Sequence, residues 1–151
     1  MKNLKYNEAF FNSKWLSKFI NQCLQKGKKF KIEKIIYYNF FFFKKKLNFS
    51  SLFLFFEILE KIKPTIGLKI YIVSKKKTKA IPFFLHLGLQ YKKALYWLSV
   101  SIVMRKETTI LYKIHNEFYD IVIKEVGDSL KKKKNYYKYT ILFKTVKRFK
   151  W

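Results

Sequence analysis

The sequence predicts a mainly α fold, a six-helix bundle interrupted by a protruding β-hairpin between helices three and four. Three observations predict it. Apolar residues recur at helical spacing in six separate stretches. Between Pro64 and Leu87 the period drops to two. Only four Gly and two Pro occur in 151 residues, too few turn-formers for a many-stranded β protein. Half of the residues are apolar and 21% are aromatic, enough for a packed core, and the length suits a single domain over 1–151.

Taken in order, Ser13 is placed to cap the first helix. Its Trp15, Leu16, Phe19, Ile20, Cys23 and Leu24 share a face before Gly27 stops it. The second helix carries Ile32, Ile35 and Ile36 on one face, runs into the phenylalanines at 40–43 and is expected to break at the lysines 44–46. Ser50 or Ser51 caps the third, which runs through Phe53, Phe56 and Leu59. Pro64 ends it, because the residue before a proline is pushed out of helical geometry. Leu68, Ile70 and Ile72 then alternate with Lys69, Tyr71 and Val73. After a polar turn over 74–79, an extended run over 80–87 carries Pro82, so the hairpin spans about 68–87. Pro82 belongs on a free edge, where its missing N–H does no harm.

Helical spacing returns at Ala94, Leu95, Trp97, Leu98 and Ser101. It recurs at Ile110, Leu111, Ile114, Phe118, Ile121 and Val122, ending at Gly127. The sixth helix opens at Asp128 or Ser129 and continues through Tyr139, Leu142, Phe143, Val146 and Phe149. The hairpin tip has no apolar residue to bury and is expected to project outward.

Charge speaks most directly about partners. Thirty-four Lys and Arg against nine Asp and Glu give a formal charge of +25. A compact chain so charged repels itself unless an anion neutralises it, and a polyphosphate does so while releasing condensed counterions. Arg105 and Arg148 are the two arginines; every other cation is lysine. Lysine shares A/T-only codons with the abundant Phe, Ile, Tyr and Asn. Codon bias therefore explains part of the composition, though not the scarcity of Glu.

Other classes find little support. The lone Cys23 excludes an internal disulfide and a cysteine-based zinc cluster, and reads as a small buried hydrophobe. The apolar runs 35–43, 47–56 and 94–104 are bounded by charge and fall short of the ~18 residues a membrane span needs. The start, MKNLKYNEAFF, has neither a signal-peptide core nor a transit-peptide pattern, so synthesis at the site of action is expected. Glu57/Glu60 and Glu117/Asp120 are spaced for single helix faces, where such pairs balance nearby lysines. His86 and His115 stand without metal or triad spacing, and glycine-rich phosphate loops are absent. No catalytic residue, metal or cofactor is expected.

Three stretches carry a likeness to a known family. GKKFKIEKIIY (27–37) matches a GKK…AE.IVY signature, with Ile32 for the usual alanine. IKPTIGLK…AIP (62–82) matches a strand–turn–strand segment following V-(R/K)-P. SLKKKKNYYKYTILFKTVKRFKW (129–151) matches a KK(R/K)…N.A…YRW ending, with Arg148 near the Arg and Trp151 at the final Trp. A weaker fourth match is KKALYWL (92–98). In this order the chain resembles the bacterial-type small-subunit ribosomal protein seven family. It departs at the hairpin, where Tyr71, Ile72, Ser74 and Lys75 replace paired arginines and then paired glycines. It departs also in its short N-terminal arm and in lacking a tail beyond the final Trp.

The resemblance implies binding to the 3′ major domain of small-subunit rRNA and nucleation of head assembly. It implies a hairpin and C-terminal helix facing the exit site, near tRNA and mRNA, and contact with small-subunit ribosomal protein eleven. Truncation and drift point to a mitochondrial ribosome, with a relict plastid as the alternative.

On the residues' own terms, Lys28, Lys29, Lys31 and Lys34 line a helix start, from which ammoniums reach phosphates without reading bases. Lys75, Lys76, Lys77 and Lys79 form the hairpin tip, with Tyr71 as the first candidate for stacking on an unpaired base. Lys131, Lys132, Lys133 and Lys134 form the longest cationic run, at the helix end where the macrodipole favours anions. Lys138 lies a turn further on, and Arg148 can make a forked phosphate contact. Lys63, Lys69, Lys92 and Lys93 complete the expected rRNA surface. Tyr136, Tyr137, Trp97 and Trp151 are further stacking candidates, while most other aromatics fall on helical stripes that belong to the core. The competing reading is a peripheral membrane protein lying on anionic lipid. The interposed hairpin and the ordered motifs count against it.

Overall fold

A computed structural model describes residues 13–24, 26–47, 50–74 and 77–144, with side chains described outside 47, 72–74, 77–79 and 143–144. Among these residues six α-helices and one antiparallel hairpin follow in order: α1 Lys14–Gln22, α2 Lys29–Leu47, α3 Ser51–Ile62, β1 Ile66–Ser74, β2 Lys77–Phe84, α4 Leu87–Met104, α5 Ile110–Tyr119 and α6 Asp128–Lys144. A π-helical turn, Asp120–Lys124, joins α5 to the approach of α6. The hairpin lies between the third and fourth helices, as the change of period predicts.

Local chemistry sets most boundaries. Ser13, Ser50 and Thr109 each accept a hydrogen bond from the backbone N–H three residues on, at 3.5, 3.3 and 3.5 Å. Gly27 takes a φ of +72° between α1 and α2, a left-handed turn that favours glycine. Gly127 serves by its size: a Cβ there would meet Ile121 Cγ1 at 2.5 Å.

Several expected boundaries move. The lysines 44–46 do not break α2, which runs through them to Leu47. Cations in a last turn complement the negative end of the helix dipole and prolong it. α4 opens at Leu87 rather than near Ala94, because His86 Nδ1 accepts from the Leu89 N–H at 3.3 Å and caps it. Leu87 is therefore helical and not the end of a strand. The strands occupy 66–74 and 77–84, so most of the expected 74–79 turn is strand. α5 gives way at Asp120, and Glu125, at φ 54°, closes the π turn before Gly127. The expected continuation through Val146 and Phe149 lies outside the described residues.

The core is aromatic. Phe19, Phe40, Phe43, Phe55 and Phe118, from α1, α2, α3 and α5, are at most 1% exposed. Their ring centroids stand 5.7 to 6.3 Å apart, the range of favourable tilted and edge-to-face pairs. Cys23 is buried, and burial pushes its thiol up to about 12, so it packs as a neutral hydrophobe. On α3 the expected stripe holds at Leu59, is half-buried at Phe56 and fails at Phe53. Leu54, Phe55, Ile58, Leu59 and Ile62 are buried while Phe53 is exposed. A helix reading SLFLFFEILEKI is apolar on nearly every side, and periodicity alone does not choose its inner face.

The hairpin pairs Ile66 with Phe84, Leu68 with Pro82 and Ile70 with Ala80. With two strands, both are edges, and Pro82 interrupts no inner ladder. Its base is braced by α6. The Tyr136 hydroxyl accepts from the Leu68 N–H at 2.9 Å and from Lys93 Nζ at 2.6 Å, and the Tyr137 hydroxyl accepts from the Thr65 N–H at 2.9 Å. Tyr136→Phe therefore costs about 1–2 kcal/mol by leaving a strand amide without its acceptor. Hydrogen exchange at the Leu68 amide, followed by NMR, is expected to accelerate while amides in α1 are unchanged.

Candidate nucleic-acid interface

Acids and bases are distributed asymmetrically. Each described acid sits in an ion pair: Glu33 with Lys29, Glu57 and Glu125 with Lys61, Glu60 with Lys63, Asp128 with Lys131, and Glu107, Glu117 and Asp120 with Arg105. Among the described residues the acids are thus engaged within the fold, and the lysines outside these pairs and the Lys124–Asp120 pair have no acid partner.

Lys28, Lys29, Lys31 and Lys34 are all exposed at the start of α2. The first turn of α2 contains no acid, so nothing there offsets the positive end of its dipole. Lys34 Nζ stands 4.4 Å over the ring of exposed Phe30. Lys69 and Lys92 are exposed on β1 and α4, and Lys134 and Lys138 on α6. Lys69 Nζ lies 5.1 Å over the ring of Tyr71, which is itself exposed.

The other described cations on the predicted surface make contacts within the protein, and of them Lys131 stays exposed. Lys63 pairs with Glu60 at 2.5 Å beside Tyr91, and Lys93 donates to Tyr136. The run on α6 splits by helical geometry. Lys131 pairs with Asp128 at 2.8 Å, and Lys133 Nζ donates to the Lys61 carbonyl at 2.6 Å, closing the C-terminal turn of α3. The Lys132 ammonium is shielded from water, and burial pulls it below its ordinary range against Glu117 and Asp128. Lys77 and Lys79 lie in β2. Lys75, Lys76, Arg148 and Trp151 fall outside the described residues.

The stacking candidates divide in the same way. Tyr136 and Trp97 pack their rings 5.3 Å apart, and Tyr136 and Tyr137 spend their hydroxyls on the hairpin base. They brace the hairpin, whereas Tyr71 presents its ring outward.

Sequence reasoning missed the role of Arg105. Its guanidinium donates to Glu107 at 2.9 Å, Glu117 at 2.6 Å and Asp120 at 2.8 Å. Glu117 is fully buried and also accepts from the Ser129 N–H at 3.0 Å and from the Ser129 hydroxyl. One arginine thus ties the end of α4, helix α5, the π turn and the first turn of α6. Glu117 balances this arginine rather than a surface lysine, while Asp120 is shared between the arginine and the exposed Lys124 at 3.2 Å. Burial opposes ionisation of Glu107, but the Asn116 amide and Arg105 outweigh it and hold the carboxyl down to about 2. Asp120 is likewise lowered, with burial opposed by hydrogen bonds from Arg105 and Lys124. A signal was present: in a chain whose cations are almost all lysine, a retained arginine marks a place where a planar fork is required.

The arrangement is that of a helical scaffold protein facing a polyanion, its acids consumed internally and its free cations set on helix surfaces. Comparison with known proteins gives the same class. Residues 2–141 match the family described as ribosomal protein S7p/S5e, and the chain belongs to that family. It is 28% identical over 144 residues to the small ribosomal subunit protein uS7 of Helicobacter hepaticus, covering 95% of this chain and 92% of that one. It is 30% identical over 141 residues to uS7 of Thermodesulfovibrio yellowstonii, covering 93% and 89%. With uS7 of Pelagibacter ubique it shares 30% identity over 144 residues, covering 95% and 91%. Membership makes it a structural, non-enzymatic ribosomal protein of the small subunit.

Proposed function

We propose that the whole chain acts as one domain that binds the 3′ major domain of small-subunit rRNA and organises assembly of the subunit head. The hairpin, with Tyr71, Lys75, Lys76, Lys77 and Lys79, lies near the exit site beside tRNA and mRNA, and small-subunit ribosomal protein eleven is a neighbour. The observation that carries this reading is the pairing of every described acid inside the fold, which leaves exposed lysines to an external anion. Lys28, Lys29, Lys31, Lys34, Lys69, Lys92, Lys134 and Lys138 are the direct phosphate contacts. Lys63, Lys93, Lys132 and Lys133 chiefly set the helices in register, Lys131 is an exposed lysine paired within its own helix, and Arg148 adds a forked contact. Affinity comes from charge, and specificity from the fit of a rigid scaffold to folded RNA.

The mitochondrial ribosome is the favoured setting, with a relict plastid second. Lysine in place of arginine and the abundance of Phe, Ile, Tyr and Asn support it, since an A/T-rich organellar genome produces both.

Filter binding of the purified chain to a transcript of the 3′ major domain, titrated with KCl, tests the central claim. Eight phosphate contacts give a log–log slope of about −6. A nearly flat dependence, or equal affinity for unrelated duplex RNA, would overturn it.

A further inference from the structure

Tyr38, Phe41 and Phe42 stand on the outer side of α2, exposed by 60%, 60% and 42%. Spaced three and four residues apart, they form one apolar strip along the helix. Their neighbours Phe40 and Phe43 point into the core, so the helix is aromatic on both sides where a surface helix is ordinarily polar outside. The strip has a rigid backing. Phe42 meets the His115 ring edge-on at 4.8 Å, and His115 stacks on Phe43 at 4.9 Å and lies 3.1 Å from the Asn39 side-chain oxygen. Rings held this way are pre-organised for contact and lose little freedom on binding.

Charge identifies what fits. Lys34 lies one turn before Tyr38, and Lys44 and Lys45 lie one turn beyond Phe41, all exposed. Glu33, the one acid of α2, is paired with Lys29. The face therefore reads cation, aromatic, cation over about three turns. A second copy carries the same +25 and is repelled. An RNA duplex satisfies the lysines but offers no apolar surface to cover three rings. A protein helix that is apolar in its middle and acidic at both ends satisfies everything at once, with aromatics at the centre of the contact and charges at its rim. We infer that the outer face of α2 docks an acidic amphipathic helix of a neighbouring protein, along a strip that shares only Lys34 with the rRNA contacts proposed above.

Two measurements test it. In the first, photoreactive benzoylphenylalanine replaces Phe41 in the full-length chain assembled into small subunits. After irradiation, mass spectrometry is expected to find a cross-link to another protein, in a segment with helical apolar spacing flanked by Asp and Glu. A cross-link to RNA, to a second copy or to residues 1–12 of this chain overturns the inference, as does the absence of any cross-link. In the second, a synthetic helix of about 18 residues, leucine-faced with glutamates in its first and last turns, binds the purified chain in fluorescence anisotropy. Phe41→Ser weakens binding about tenfold or more with unchanged melting temperature, and Phe42→Ser weakens it as much with a lowered melting temperature, because its ring also packs on His115. Lys34→Gln with Lys45→Gln removes the salt dependence. Equal binding of a lysine-flanked version of the probe overturns the proposal.

Discussion

Arg105→Met is expected to lower folding stability by about 3–5 kcal/mol, with a fall in melting temperature of about 10 °C. The loss comes from what remains. Glu117 is fully buried and loses its guanidinium partner, retaining the Ser129 donors, and a buried carboxylate stripped of its partner is far costlier than an absent ion pair. Arg105→Met combined with Glu117→Gln recovers part of the loss, because the stranded charge is gone. The double-mutant cycle then reports a large coupling energy. Arg105→Lys is intermediate, since a single ammonium does not span three carboxylates.

The same cluster sets an acid limit. Glu107 is held down to about 2 and Asp120 is lowered, so both titrate below their unfolded values near 4. Carboxylates with depressed values add stability that is fully present above the unfolded value and disappears as pH falls through the folded one. Melting temperature is therefore expected to drop between about pH 4.5 and 2 in the native chain. The drop is shallower in Arg105→Met, and thermal denaturation across that range checks it.

The second large effect falls on RNA. Replacing Lys28, Lys29, Lys31 and Lys34 together by glutamine is expected to weaken binding to the 3′ major domain about 10³-fold near 0.1 M salt, and to flatten the salt slope by about 3. All four are exposed, so thermal stability stays close to native. Lys133→Gln is the counter-case. Its ammonium caps the Lys61 carbonyl at 2.6 Å, so the change costs stability while RNA affinity moves little. Filter binding and thermal denaturation on both variants separate lysines that hold the RNA from lysines that hold the protein. If Lys133→Gln proved the more damaging to RNA binding, the division made from burial would be wrong.

Much of this was legible in advance where chemistry is local. The Ser13 cap, the alternation from Leu68 to Ile72 and the basic start of α2 all depend on residues within a turn or a strand of one another. The errors also had local causes. His86 capped α4 because a histidine ring nitrogen can stand in for the usual hydroxyl or carboxylate. Lysines 44–46 prolong α2 because cations in a last turn meet the negative end of the helix dipole, which a charge run read by itself does not reveal. The run at 131–134 illustrates the harder failure. Four identical residues in a row are indistinguishable in sequence, yet a helix turns each by about 100°. One therefore meets Asp128 at the surface, one is shielded, one caps α3, and one is exposed with no acid beside it among the described residues.

The sequence by itself determined the charge, the number and order of helices, the position of the hairpin and the polyanionic nature of the partner, because composition and short-range periodicity carry those properties. Only the tertiary structure decided which side of a helix apolar nearly all round is core, which lysines are already spent, and that Arg105 gathers carboxylates 2 to 15 residues away while Tyr137 and Lys133 reach partners 72 residues distant. Those pairings depend on how whole helices lie against one another, and no local pattern encodes the distance between groups that meet only after the chain has packed.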